Sequence, residues 1–125
     1  MDQNVMVVDD EPSVRYSVRR ILENAGLKVI EVEDGKTCIN LLKKGFKGLI
    51  LMDISMPEMD GWDTIQSLVD QDLAKGNIIC MLTGKEKPDP KMDKLKEYVL
   101  DYIRKPFQHD KLIEIVNEYL LYLNS

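Results

Sequence analysis

Asp9, Asp10, Asp53 and Lys105 are the residues of this chain best suited to chemistry, and each follows a short apolar run. Asp9 and Asp10 close Val5-Met6-Val7-Val8, and Asp53 closes Leu49-Ile50-Leu51-Met52. Lys105 follows Tyr102-Ile103-Arg104 and precedes Pro106. Short apolar runs separated by helical patterns read as buried parallel strands. Open parallel sheets hold their ligands at the carboxyl ends of the strands, near the point where the strand order reverses. Three acids gathered there repel one another unless a hard cation neutralises them, and an all-oxygen set suits Mg²⁺. A lysine in the same crevice points to an anionic second ligand, a phosphoryl group. The pattern reads as a site that takes a phosphoryl group onto a carboxylate with Mg²⁺ present.

The elements that must position these residues alternate strictly. Pro12 suits the first position of a helix whose inner face carries Val14, Val18, Ile21, Leu22 and Ala25, and Gly26 ends it. Val29 to Val32 reads as the second strand. Asp34 caps a short helix bearing Cys38, Ile39, Leu41 and Leu42, which Gly45 ends. The third strand runs from about Leu49 to Asp53, and Ser55 to Gly61 is a loop. Trp62, Ile65, Leu68, Val69 and Leu73 mark the inner face of a third helix, with Trp62 at its edge. Ile78 to Leu82 is the most apolar strand and is expected near the sheet centre. Pro88 and Pro90 delay entry to a short fourth helix marked by Met92 and Leu95. Val99 to Ile103 is the fifth strand, and a last helix spans about His109 to Leu123. Right-handed crossovers and two covered sheet faces then imply an α/β, doubly wound, five-stranded parallel sheet with strand order 2-1-3-4-5, of flavodoxin-like type.

Bulk properties fit one domain over residues 1–125, with 44% hydrophobic and 31% charged residues. A net charge of −5 argues against direct nucleic-acid binding. No apolar run approaches the ~20 residues of a membrane span. Met1-Asp2-Gln3-Asn4 lacks the features of a signal peptide, so a cytoplasmic location is expected. Cys38 and Cys80 match no metal spacing and read as buried small hydrophobes. The methionines read as packing, and His109 as the start of the last helix.

The motifs Val7-Val8-Asp9-Asp10-Glu11, Leu51-Met52-Asp53, Met56-Pro57-Glu58-Met59-Asp60-Gly61, Met81-Leu82-Thr83-Gly84 and Lys105-Pro106-Phe107 occur in order, most of them at strand ends. With them the chain resembles the receiver domain of two-component response regulators, stand-alone chemotaxis regulators in particular, over essentially its whole length. The resemblance implies that Asp53 is the phosphoacceptor, taking its phosphoryl group from the phosphohistidine of a histidine kinase or phosphotransfer protein. It implies Asp10 and Asp53 as direct Mg²⁺ ligands, Asp9 acting through a water, and Ser55 offering its backbone carbonyl. Lys105 would pair with one phosphoryl oxygen, and with Asp53 in its absence, holding it ionised; the Lys–Pro bond after it would be cis. Thr83 would bond another phosphoryl oxygen. Thr83 and Tyr102 would be the switch pair, coupling phosphorylation to the face formed by the fourth helix, fifth strand and fifth helix, where an unknown downstream protein docks. Ser55 and Lys85 would border the path of the hydrolytic water, and neither is suited to be a base, so slow self-dephosphorylation is expected. The chain is not expected to be an enzyme beyond its own phosphorylation and dephosphorylation.

Each residue also has a plainer reading. Asp9, Asp10 and Glu11 could cap a helix, Lys105 could be a snorkelling surface lysine, and Thr83 and Tyr102 could be ordinary strand residues. The chain departs from the family where Tyr98-Val99 replaces a common Gly-Ala turn, so the end of the fourth helix must differ. Lys85, Lys87, Lys91, Lys94 and Lys96 read as a solvated face, or more sharply as a dock for an acidic partner. With Ser125 just after the last helix, a stand-alone switch is the expected form, and a receiver excised from a longer regulator or hybrid kinase is its rival. A haloacid-dehalogenase-type phosphatase needs a second acid where Ser55 stands. A flavodoxin-like FMN carrier needs a phosphate loop where Asp9-Asp10-Glu11 stands.

Overall fold

The computed structural model describes residues 4–84 and 86–123. The expectations on Met1 to Gln3, on Lys85 and on Ser125 lie outside the described residues. Five parallel strands, β1 (Asn4–Val8), β2 (Lys28–Val32), β3 (Leu49–Asp53), β4 (Ile78–Thr83) and β5 (Asp101–Arg104), form one sheet in the order β2-β1-β3-β4-β5. The helices are α1 (Pro12–Asn24), α2 (Gly35–Lys43), α3 (Gly61–Asp70), α4 (Pro90–Leu95) and α5 (His109–Leu123). The expected doubly wound fold and strand order are therefore present. Alternation along the strands splits the core in two. Met6, Val8, Ile50, Met52, Ile79 and Met81 pack with α2 and α3, while Val5, Val7, Leu49, Leu51, Cys80 and Leu82 pack with α1 and α5.

Local chemistry explains where the elements start and stop. Pro12 opens α1, and Gly26 (φ +89°) and Gly45 (φ +107°) follow α1 and α2 in a conformation that costs glycine little. The Asp34 carboxylate accepts from the Thr37 N–H at 2.8 Å, and Asp60 and Asp63 form a reciprocal capping box at the start of α3. Cys38 and Cys80 are free, buried thiols in opposite layers, which excludes a bridge between them. Burial pushes both thiols up to about 12, keeping them protonated and inert.

Several expectations need correction. β4 does lie near the sheet centre, but β3 is the central strand and buries all five of its residues. Trp62 lies inside the α2/α3 layer at 2% exposure instead of covering an edge. Ala25 and Met92 are exposed, and Leu73 packs on the core from beyond the end of α3. Val99 and Leu100 precede β5, although the Leu100 N–H already donates to the Ile79 carbonyl at 2.8 Å. The end of α4 does differ from a glycine turn: it tightens into a 3₁₀ turn over Lys96–Tyr98 and leaves it through extended Val99, with no positive φ.

Candidate functional site

β1 and β3 are neighbours, so their carboxyl ends bring Asp9, Asp10 and Asp53 side by side. One carboxylate oxygen from each lies within 4.8 Å of the others. Asp9 is fully buried and Asp53 is 3% exposed, whereas Asp10 faces solvent. This donor set fits a hard divalent cation: three oxygen donors, two of them sunk in the fold, with an open side for water.

The β1–α1 turn is tied down from several directions. The Asp9 N–H donates to the Val32 carbonyl at 3.0 Å, and the Glu11 N–H donates to Asp9 Oδ1 at 2.9 Å. Arg15 Nη1 donates to the Asp9 carbonyl at 2.7 Å, while its Nε lies 3.4 Å from Glu31 on β2. Nothing in the sequence pattern marked Arg15 as support for the site, because its partners are a backbone carbonyl before α1 and an acid on the following strand. At β3 the Ser55 N–H reaches Asp53 Oδ1 at 3.4 Å, and the Gly61 N–H donates to the Ile54 carbonyl at 2.9 Å. A Cβ at Gly61 would stand 2.5 Å from the Asp53 carbonyl oxygen, so glycine is required for α3 to start against the site.

Lys105 enters from the far side of β4. Its N–H donates to the Thr83 carbonyl at 2.7 Å, its bond to Pro106 is cis, and its ammonium bridges Asp9 Oδ2 (2.9 Å) and Asp53 Oδ1 (3.2 Å). Burial pulls the ammonium down, but hydrogen bonding and charge from Asp9 and Asp53 outweigh it and leave it raised. Burial first, and Asp9 second, push the Asp53 carboxyl up to about 7, against the opposing pull of Lys105 and the Ser55 N–H. Lys105 pairs with Asp53 as expected and favours its ionised form, but it is shared with Asp9, and burial with the Asp9 charge opposes it. A divalent cation would supply the missing positive charge.

Thr83 ends β4, half-buried beside Lys105. Tyr102 is 38% exposed on β5, opposite Met81, with its ring 6.5 Å from that of Trp62. Two features went unread in the sequence. Glu86 accepts from the Gly84 N–H (2.7 Å) and from Ser55 Oγ (3.2 Å), joining the loops that follow β4 and β3. Lys91 donates to Asp60 (2.8 Å) and Asp63 (3.1 Å), so it clamps α4 onto α3 and is not free to meet a partner. A sequence offers only unpaired loop charges as a signal for such contacts, which span roughly thirty residues of chain. Lys87, Lys94 and Lys96 are exposed, as a solvated face requires.

Comparison with known proteins gives the same picture. The model for the response regulator receiver domain matches residues 5–117. The chemotaxis protein CheY of Bacillus subtilis is 31% identical over 121 residues, covering 96% of this chain and 99% of that protein. CheY of Thermotoga maritima is 30% identical over 119 residues, covering 94% and 98%. The crystal structure of a CheY-like response regulator receiver domain protein from Methanospirillum hungatei superposes with a TM-score of 0.93 at 49% identity, covering 98% of this chain and 97% of that one. Among the described residues no helix is long and apolar enough to cross a membrane. Sheet order, an acid cluster bridged by lysine, and similarity along nearly the whole chain agree: this protein belongs to the response regulator receiver domain family of two-component systems.

Proposed function

We propose that Asp53 is the phosphoacceptor of this receiver, taking the phosphoryl group of a phosphohistidine on a histidine kinase or phosphotransfer protein. The observation that carries this reading is the convergence of Asp9, Asp10 and Asp53 with an ammonium bridging two of them at the carboxyl edge of the sheet. One Asp53 carboxylate oxygen attacks phosphorus, the phosphorus–nitrogen bond to imidazole breaks, and the released imidazole takes a proton from water. Asp10 and Asp53 would hold Mg²⁺ directly, with Asp9 acting through water and Ser55 through its carbonyl. The ion would supply charge neutralisation for the acids and the transferring phosphoryl oxygens. Lys105 turns toward one phosphoryl oxygen, and the Thr83 hydroxyl donates to another.

Thr83 and Tyr102 form the switch in this reading. Thr83 moves toward the phosphoryl group, and Tyr102, now half in solvent beside Trp62, turns into the space it leaves. The face made by α4, β5 and α5 carries the half-exposed Tyr102, and is where a downstream protein would sense the change. The chain acts as a signalling domain, catalysing only its own phosphorylation and dephosphorylation. Incubation with acetyl phosphate and Mg²⁺, followed by mass spectrometry, should give one hydroxylamine-labile phosphoryl adduct that is absent from Asp53→Asn. Equal labelling of the variant would refute the assignment.

A further inference from the structure

Glu86 lies beside the phosphoacceptor without being part of the acid cluster. Its carboxylate spans two donors that belong to different loops, the Gly84 N–H at 2.7 Å and Ser55 Oγ at 3.2 Å. Both donors flank Asp53: the Ser55 N–H reaches Asp53 Oδ1, and Gly84 follows Thr83 at the end of the strand paired with β3. An anion thus already sits on donors at the rim of a site built to receive another anion.

We infer that Glu86 is an internal competitor of the phosphoryl group, holding the Gly84 N–H and Ser55 hydroxyl until phosphorylation displaces it. The inference rests on Asp53 being the phosphoacceptor. A phosphoryl group on Asp53 brings two negative charges next to the Glu86 carboxylate and seeks the same donors. Like charges at that separation repel, and a donor N–H serves one strong acceptor well. The two anions therefore exclude each other. The displaced carboxylate has somewhere to go, because Glu86 borders an open groove of about 470 Å³ lined also by Ser55, Lys87 and Asp89. Glu86 is consequently a positioning residue that sets how readily the phosphorylated state forms, and its release frees the loop leading into α4.

The test measures beryllofluoride affinity in the presence of Mg²⁺ by calorimetry, and Gly84 amide exchange without any phosphoryl analogue. Glu86→Ala should bind beryllofluoride roughly three- to tenfold more tightly, the size of one or two net hydrogen bonds, and should exchange its Gly84 amide faster. Glu86→Gln, neutral but still an acceptor, should fall between wild type and Glu86→Ala. Combined with Ser55→Ala, the gain from Glu86→Ala should shrink, because the carboxylate has then already lost one partner. Unchanged affinity in Glu86→Ala overturns the competition. So does a change confined to the rate of phosphate loss, which would make Glu86 a positioner of water. If beryllofluoride binds equally with and without Asp53→Asn, the phosphoacceptor reading falls instead, while the Gly84 exchange still reports on the Glu86 contact.

Discussion

β3 buries all five of its residues, whereas the segment from Pro90 to Arg104 buries only Leu95, Val99 and Ile103. The two regions flank the same crevice. The first presents Asp53 from the sheet centre, where packing on both faces and the bonds to the β1–α1 turn fix its position. The second is a six-residue helix, a 3₁₀ turn and the edge strand β5, held down by three buried side chains, by pairing with β4 on one side only, and by Lys91 on Asp60 and Asp63. Chemistry that needs carboxylates and an ammonium in register belongs on the first. Rearrangement on a small free-energy change belongs on the second, where few buried contacts must be broken.

The largest effect should separate the two regions directly. Ile50→Ala deletes a fully buried side chain between packed layers and should cost about 3–4 kcal/mol in urea unfolding. Leu95→Ala should cost only about 2 kcal/mol, since the thin layer above it can settle into the space. Equal losses would show that the α4 region is as firmly built as the sheet.

A medium effect concerns the strained chemistry of the fixed region. Asp53 is raised from 3.8 to about 7 in the fold. An acid with a raised folded pKa contributes stability at low pH and loses it as pH climbs through that interval. Metal-free protein should therefore lose about 1–3 kcal/mol between pH 4 and pH 7, and Asp53→Asn should flatten that slope. A wild-type profile that rises over this range would mean Lys105 outweighs burial and Asp9.

The smallest effect tests the clamp on the thinly buried second region. Hydrogen bonding to Asp60 raises the Lys91 ammonium against a modest desolvation cost, but the side chain is 42% exposed. Lys91→Met should cost only about 0.5–1 kcal/mol, and should speed amide exchange in α4 while leaving β3 unaffected. Faster exchange in β3 as well would show that the two regions open as one unit.

The same contrast decided what could be read from the sequence. Asp9, Asp10, Asp53 and Thr83 end or follow continuous apolar runs and Lys105 follows a shorter, mixed strand, so strand pattern and the geometry of parallel sheets place them without contact information. The caps at Asp34 and Asp60 are local and legible for the same reason. Trp62 was rightly placed on the inner face of α3 by its spacing to Ile65 and Leu68, but its depth was missed, because a residue in the first turn of a helix can sit at an edge or inside the layer on the same pattern. Lys91 and Glu86 escaped because their partners lie 28–31 residues away, and charges in a loop look alike whether solvated or bonded. The start of β5 slipped because apolar Val99 and Leu100 resemble strand residues but serve to close the 3₁₀ turn.

The division between a fixed chemical half and a movable half is tested most directly by amide hydrogen exchange with and without beryllofluoride and Mg²⁺. The largest changes should fall at Gly84 and across residues 86–104, shrinking in Thr83→Ala, while β1 and the core of β3 keep their protection. Changes confined to the neighbourhood of Asp9, Asp10 and Asp53, or spread evenly over the sheet, would contradict the account.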